Sequence, residues 1–269
     1  MQEQQKIKYC ALGDSITYGF IPRNYPGYPG QLRSYAELAA EKLETSLNLR
    51  TCKVEFYNFG ISDSTIANLQ GHDPMCLRFA EMPDDADIIT VMGGTNDVRG
   101  GVPLGKMSDR CNTTFYGALH TLYQGLYTKY IGNVEPSVGA KKRIIILTPP
   151  KLLDADKSSL PNTPENNAQT LFQWNEWLDA IKEVAAFYSF PVLDMHNLSG
   201  INPHLNRTIK GYEDGYYGNY NPYITDGTHP TQEGAEMMAK VLAEFLAETW
   251  MEPLAETWVE PLEETCART

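Results

Sequence analysis

The sequence predicts an α/β fold of three layers, an α/β/α sandwich in which helices cover both faces of a five-stranded, mostly parallel sheet. Three observations point there. Five short apolar runs end abruptly in Gly, Pro or a polar turn, as buried strands do. Between them lie segments whose apolar residues recur at helical spacing. Strands alternating with helices make βαβ units, and a parallel sheet built from such units is covered on both sides.

The first run, residues 7–12, closes in Gly13-Asp14-Ser15 and leaves a serine at the carboxyl end of its strand. A Pro-, Gly- and Tyr-rich stretch, YGFIPRNYPGYPGQL, gives way to a helix over residues 34–43. Residues 54–59 read as the second strand, closed by Gly60, and residues 87–92 (DIITVM) as the third, running into GGTND. Aromatic and apolar residues keep helical period over 115–131, and RIIILT (143–148) is a fourth strand stopped by Pro149-Pro150. A long amphipathic helix follows over 167–188, then a short fifth strand over 191–195 (PVLDM). The last helix spans 231–250, with Thr231 as its N-cap directly after Pro230. Five strands in one domain fit the flavodoxin-like order 2-1-3-4-5. Its switch point lies between the first and third strands, and ligands bind beyond the carboxyl ends there.

Length and charge bound what such a fold can do. The 269 residues suffice for one large domain, placed at residues 1–250. Residues 251–269 read as an acidic tail holding the second part of an imperfect repeat, AETWMEPL then AETWVEPL. With 22 Lys and Arg against 34 Asp and Glu, the net charge is −12, which argues against nucleic acid and anionic membranes as partners. Cys10, Cys52, Cys76, Cys111 and Cys266 show no C-x-x-C spacing and read as buried free thiols of a reducing compartment. No apolar leader precedes the first strand and no stretch approaches a membrane span. The chain therefore reads as cytoplasmic, or as secreted if a leader has been removed. One departure is the loop 197–225, which carries Tyr212, Tyr216, Tyr217, Tyr220 and Tyr223. Loops of that length act as lids or binding surfaces. Its tyrosines either pack the loop or offer faces to a sugar ring, and Tyr217 and Tyr220 are the candidate substrate contacts.

Four short motifs fall at strand ends or just before the last helix: GDSITYG, NFGIS, GGTND and DGTHP. In the order 2-1-3-4-5 they meet in one cleft, and that assembly is what ester hydrolysis requires. A serine hydroxyl is a weak nucleophile at neutral pH and needs a base to take its proton as it attacks. His229 is the candidate base for Ser15, because imidazole titrates near working pH. Asp226, three residues earlier, can hold the ring in the right tautomer and stabilise the imidazolium. The tetrahedral intermediate puts negative charge on the former carbonyl oxygen. The backbone N–H groups of Ser15 and Gly60 and the side-chain amide of Asn96 are the candidate donors to it. Asp14 and Asp97 read as structural, shaping their loops through backbone N–H groups. His72, His120, His196 and His204 show no ligand spacing, so neither a metal nor another cofactor is expected.

These four blocks, in this order, resemble those of the GDSL or SGNH hydrolases, named for Ser, Gly, Asn and His in separate blocks. Here GDSI stands where the family name has GDSL, and the resemblance covers residues 6–246. It implies Ser15 as nucleophile, Gly60 and Asn96 as oxyanion donors, Asp226 and His229 as the rest of the triad, and a flavodoxin-like fold. It also implies a metal-independent esterase. Acetylated sugars, short-chain or lysophospholipid esters, and a non-catalytic carbohydrate-binding role are the alternatives, and the Tyr- and Asn-rich loop favours a carbohydrate acetylesterase.

Overall fold

The computed structural model describes residues 5–23, 30–46, 52–139, 141–151, 164–202 and 221–250. Five strands, β1 (Gln5–Gly13), β2 (Cys52–Gly60), β3 (Ile88–Met92), β4 (Arg143–Leu147) and β5 (Val192–Leu193), form one sheet in the order β2-β1-β3-β4-β5. Every pairing is parallel. The helices are α1 (Ser15–Tyr18), α2 (Tyr35–Ser46), α3 (Met75–Arg78), α4 (Thr95–Arg99), α5 (Phe115–Tyr127), α6 (Pro136–Gly139), α7 (Pro164–Phe187), α8 (Met195–Leu198) and α9 (Gln232–Trp250).

The strands alternate their side chains between two apolar layers, as the two-residue period of a strand requires. Cys10, Leu12, Ile89, Val91, Ile144 and Ile146 pack with Phe115 and Leu122 of α5 and Trp177 and Ile181 of α7. Tyr9, Ala11, Ile88, Met92, Ile145 and Leu147 pack with Tyr35 and Leu43 of α2 and Met238 and Leu242 of α9. β3 is buried at every position, which explains why its sequence is apolar but for Thr90, whose hydroxyl meets that of Tyr9 at 2.9 Å. Burying one such Ile or Leu side chain stabilises the fold by roughly 1.5–3 kcal/mol.

The register matters most at the carboxyl ends. Gly13 pairs with Gly60 on one side and with Met92 on the other, so β1, β2 and β3 stop level with one another. The segments that follow them leave the sheet side by side.

Three features depart from the periodicity. β5 is only two residues long, because Asp194 turns the chain there. Its carboxylate accepts the Asn197 N–H that opens α8 and pairs with Lys182 Nζ at 2.6 Å. The helix expected to run to residue 131 ends at Tyr127 and widens into a π turn at Thr128–Gly132, which apolar spacing cannot distinguish from an α turn. Cys10 and Cys76 are buried free thiols as expected, whereas Cys111 is exposed on the loop before α5. Of the loop 197–225, residues 203–220 lie outside the described residues, as does the tail from 251. Among the described residues no helix is long and apolar enough to cross a membrane.

Candidate active site

Ser15 is placed by its neighbours. β1 ends at Gly13, and the Asp14 carboxylate accepts the Ile16 N–H at 2.9 Å, capping α1 and making Ser15 its first helical residue. An N–H in the first helical turn has no partner inside the helix, so that of Ser15 is open to an acceptor from outside. Asp14 is buried, and burial pushes its carboxyl up to about 6.

The candidate base, His229, lies 214 positions further along the chain than Ser15. Residues 224–230 close on themselves through an antiparallel bridge between Ile224 and Pro230 and a bond from Thr225 N–H to the His229 carbonyl at 2.7 Å. Asp226 Oδ1 accepts the N–H groups of Thr228 and His229 at 3.1 and 2.8 Å, while Gly227, at φ 86°, makes the tight reversal. Thr231 then caps α9, its hydroxyl accepting the Gly234 N–H at 3.1 Å. This loop presents the His229 ring to the end of β1. His229 Nε2 lies 2.8 Å from Ser15 Oγ, and His229 Nδ1 lies 2.7 Å from Asp226 Oδ2.

Because a carboxylate only accepts, Nδ1 carries the ring proton and donates to Asp226, which leaves Nε2 free to accept the Ser15 O–H. Burial works against the charged form of Asp226. The hydrogen bond and charge of His229, with the two loop N–H groups, outweigh it and hold the carboxyl down to about 2. The ring of Phe20 packs against that of His229, with centroids 4.5 Å apart. Arg99, from α4, donates to the Thr228 hydroxyl and ties the loop to the neighbouring strand end.

Asn96 sits in the first turn of α4, directly beyond β3, and is buried. Its amide nitrogen donates to the Ser64 carbonyl at 2.9 Å, and a carboxamide has a second N–H to offer. Asp97 beside it has the structural role its sequence context implies, accepting the Ile66 and Ala67 N–H groups, each at 2.8 Å. Burial pushes its carboxyl up to about 7, against those two bonds.

Gly60 closes β2. Its N–H donates to the side-chain oxygen of Asn58 at 2.8 Å and is therefore already engaged. Glycine is needed there for another reason: a Cβ on Gly60 would lie 2.3 Å from Tyr18 N and 2.7 Å from Thr17 C, both backbone atoms of α1. Gly60 lets α1 lie against β2, and its N–H, the expected oxyanion donor, is held by Asn58 in this arrangement. Beyond it, residues 61–64 form a turn closed by Ser64 N–H to the Ile61 carbonyl at 3.2 Å, with Asp63 at φ 62°.

Two of the histidines read as ordinary residues are held by their own neighbours. His72 Nδ1 meets the Asp63 carbonyl at 2.6 Å, and His120 is buried between the Tyr188 hydroxyl and the Met107 carbonyl. Tyr217 and Tyr220 lie outside the described residues, and Tyr223 is half-buried against the α2–α9 layer. Among the described residues no His, Cys, Asp and Glu side chains gather in a group that could hold a metal ion. Sequence reasoning missed the contacts of Asn58, which opens the NFGIS block, and of Ser64, Arg78, Arg99 and Phe20, which stand in none of the four motifs.

What this arrangement can do chemically is remove a proton from Ser15 as its oxygen attacks an electrophilic carbon. A family model described as GDSL-like Lipase/Acylhydrolase matches residues 11–237. Among solved structures, one with 26% identity has a TM-score of 0.66 and covers 92% of this chain and 99% of its own. A protein from Lactobacillus plantarum is 25% identical with a TM-score of 0.61, over 91% of this chain and 98% of that one. A possible lipase from Chitinophaga pinensis, 19% identical, shares the fold with a TM-score of 0.59 over 91% of this chain and 100% of its own. No curated protein sequence matches the chain.

Proposed function

The chain belongs to the GDSL-like lipase/acylhydrolase family, and from that premise we propose a serine esterase that cleaves small acyl esters through an acyl-enzyme, with acetylated carbohydrates as substrates. Ser15 Oγ attacks the ester carbonyl while His229 Nε2 takes its proton. The tetrahedral oxyanion is met by the Ser15 N–H and the second amide proton of Asn96. Collapse expels the alcohol, which leaves with the proton held by His229. Water then attacks the acylated Ser15 with His229 as base, which releases the acid and restores the serine. Asp226 keeps the ring oriented throughout and offsets its charge when protonated.

The observation that carries this reading is the continuous line of hydrogen bonds from Ser15 Oγ through the His229 ring to Asp226, 2.8 and 2.7 Å long. The carbohydrate preference is supported by the Tyr- and Asn-rich loop 197–225 and by the lack of a broad apolar lid sequence, with Tyr217 and Tyr220 as the sugar contacts. The test is an ester panel running from acetyl to long acyl chains, with acetylated xylan and pectin fragments beside it. Acetyl release from the carbohydrates, and loss of p-nitrophenyl acetate turnover in Ser15→Ala with the fold intact, are the expected results. Preference for long acyl chains would move the substrate to lipids, and undiminished turnover in Ser15→Ala would remove the mechanism.

A further inference from the structure

Arg78 ends α3 and is buried. Its guanidinium reaches four oxygens. Nη1 donates to the Phe59 carbonyl and Nη2 to the Gly13 carbonyl, at the ends of β2 and β1. Nη2 and Nε also donate to the Ser64 hydroxyl at 2.9 and 3.3 Å, and Nε to the Asp73 carbonyl at 3.2 Å. All four acceptors are uncharged. Desolvation pushes the Arg78 pKa down to about 10. A cation buried against neutral oxygens is a costly way to fill space that an apolar side chain could occupy.

Two of the oxygens it joins, the Gly13 carbonyl and the Ser64 hydroxyl, lie on the segments that carry Ser15 and hold Asn96. The Gly13 carbonyl, two residues before Ser15, also accepts the Ile61 N–H at 3.1 Å. Ile61 opens the turn that Ser64 closes, and the Ser64 carbonyl holds the Asn96 amide at 2.9 Å. One planar group thus spans the strand that delivers Ser15 and the turn that orients Asn96.

We infer that Arg78 is a positioning residue for the oxyanion hole, its fork fixing the ends of β1 and β2 and the 61–64 turn so that the Ser15 N–H and the Asn96 amide converge on one oxygen. The inference rests on the esterase reading above. Arginine is required because its donors are fixed in a plane and diverge, whereas a lysine ammonium is a single point that cannot bridge four separated acceptors.

The test uses Arg78→Met, Arg78→Lys and Ser64→Ala beside the wild type and Ser15→Ala. Each is assayed for p-nitrophenyl acetate hydrolysis and for binding of phenylboronic acid, which forms a tetrahedral anion on an active serine. In Arg78→Met, kcat falls about 10- to 100-fold and boronate affinity falls by a similar factor, with KM within about twofold. Arg78→Lys recovers little of either. Ser64→Ala lowers kcat roughly tenfold, also at constant KM. The inference is overturned if Arg78→Met keeps the wild-type kcat, if lysine restores it, or if kcat falls while boronate affinity does not. Should the Arg78 variants fail to fold, Ser64→Ala decides the matter, and an unchanged kcat there overturns it. A wild type without turnover, or a Ser15→Ala variant as active as the wild type, would remove the esterase reading and this inference with it. With those controls in order, failure of the Arg78 variants counts against the inference alone.

Discussion

Replacing Gly60 with alanine separates two roles that glycine could have at the end of β2. Alanine retains the backbone N–H, so a residue serving only as an oxyanion donor would tolerate the change. The structure demands something different. The new Cβ would stand 2.3 Å from Tyr18 N and 2.7 Å from both Thr17 C and Tyr18 Cα, where ordinary contact begins at 3.4 Å. These are backbone atoms that cannot rotate aside, so α1 and β2 must part by about 1 Å. Overpacking of this kind costs about 1–3 kcal/mol. For a domain of this size each kcal/mol lowers Tm by about 2–4 °C. Ser15 is the first residue of the displaced helix, and a misplacement near 1 Å at a reacting group costs roughly 10²-fold in rate. Thermal unfolding and p-nitrophenyl acetate kinetics on Gly60→Ala should therefore show a lower Tm and a loss of kcat together. A variant that melts with the wild type and keeps kcat within about twofold would refute the packing argument.

Two other substitutions probe the charges around the site. Asp226→Asn keeps the volume but not the charge that holds His229, and kcat is expected to fall about 10³- to 10⁴-fold in steady-state assays. The Asp226 carboxyl is held down to about 2, below the ordinary range. Its contribution to stability is present above pH ~4 and lost as pH falls toward 2, so the asparagine variant should lose less stability than the wild type over that interval. Asp97 has the opposite sign: raised to about 7, it favours the folded state below pH ~4 and loses that contribution as pH rises through 7. Asp97→Asn forfeits one of two N–H acceptors, about 1–3 kcal/mol. The stability gap between Asp97→Asn and wild type in denaturant titrations should narrow from pH 5 to 8. A gap that widens over that range would contradict the raised carboxyl.

Much of this was legible in the residues because the central strands β3 and β4 are short, mostly apolar and buried. RIIILT and DIITVM can be little else between helical segments, whereas the order 2-1-3-4-5 came by analogy with the flavodoxin-like fold. Thr231 could be read as a cap because capping acts over three residues, and Asp226 and His229 because their partnership is equally local. The partner of the Gly60 N–H is just as local but was not read, Asn58 reaching two residues forward to take it. Arg78 was invisible for the opposite reason. Its acceptors include a carbonyl 65 positions away, and no spacing rule connects them. Backbone oxygens leave no mark in composition, so a side chain recruited to hold them looks like any surface arginine until the fold is seen.

The central claim is that His229 takes the proton of Ser15, and labelling with a fluorophosphonate followed by mass mapping tests it most directly. The wild type should carry one adduct, on Ser15. Ser15→Ala should carry none, and His229→Ala should react slower by about 10³-fold or more. An adduct on another residue, or equal labelling rates with and without the imidazole, would contradict it.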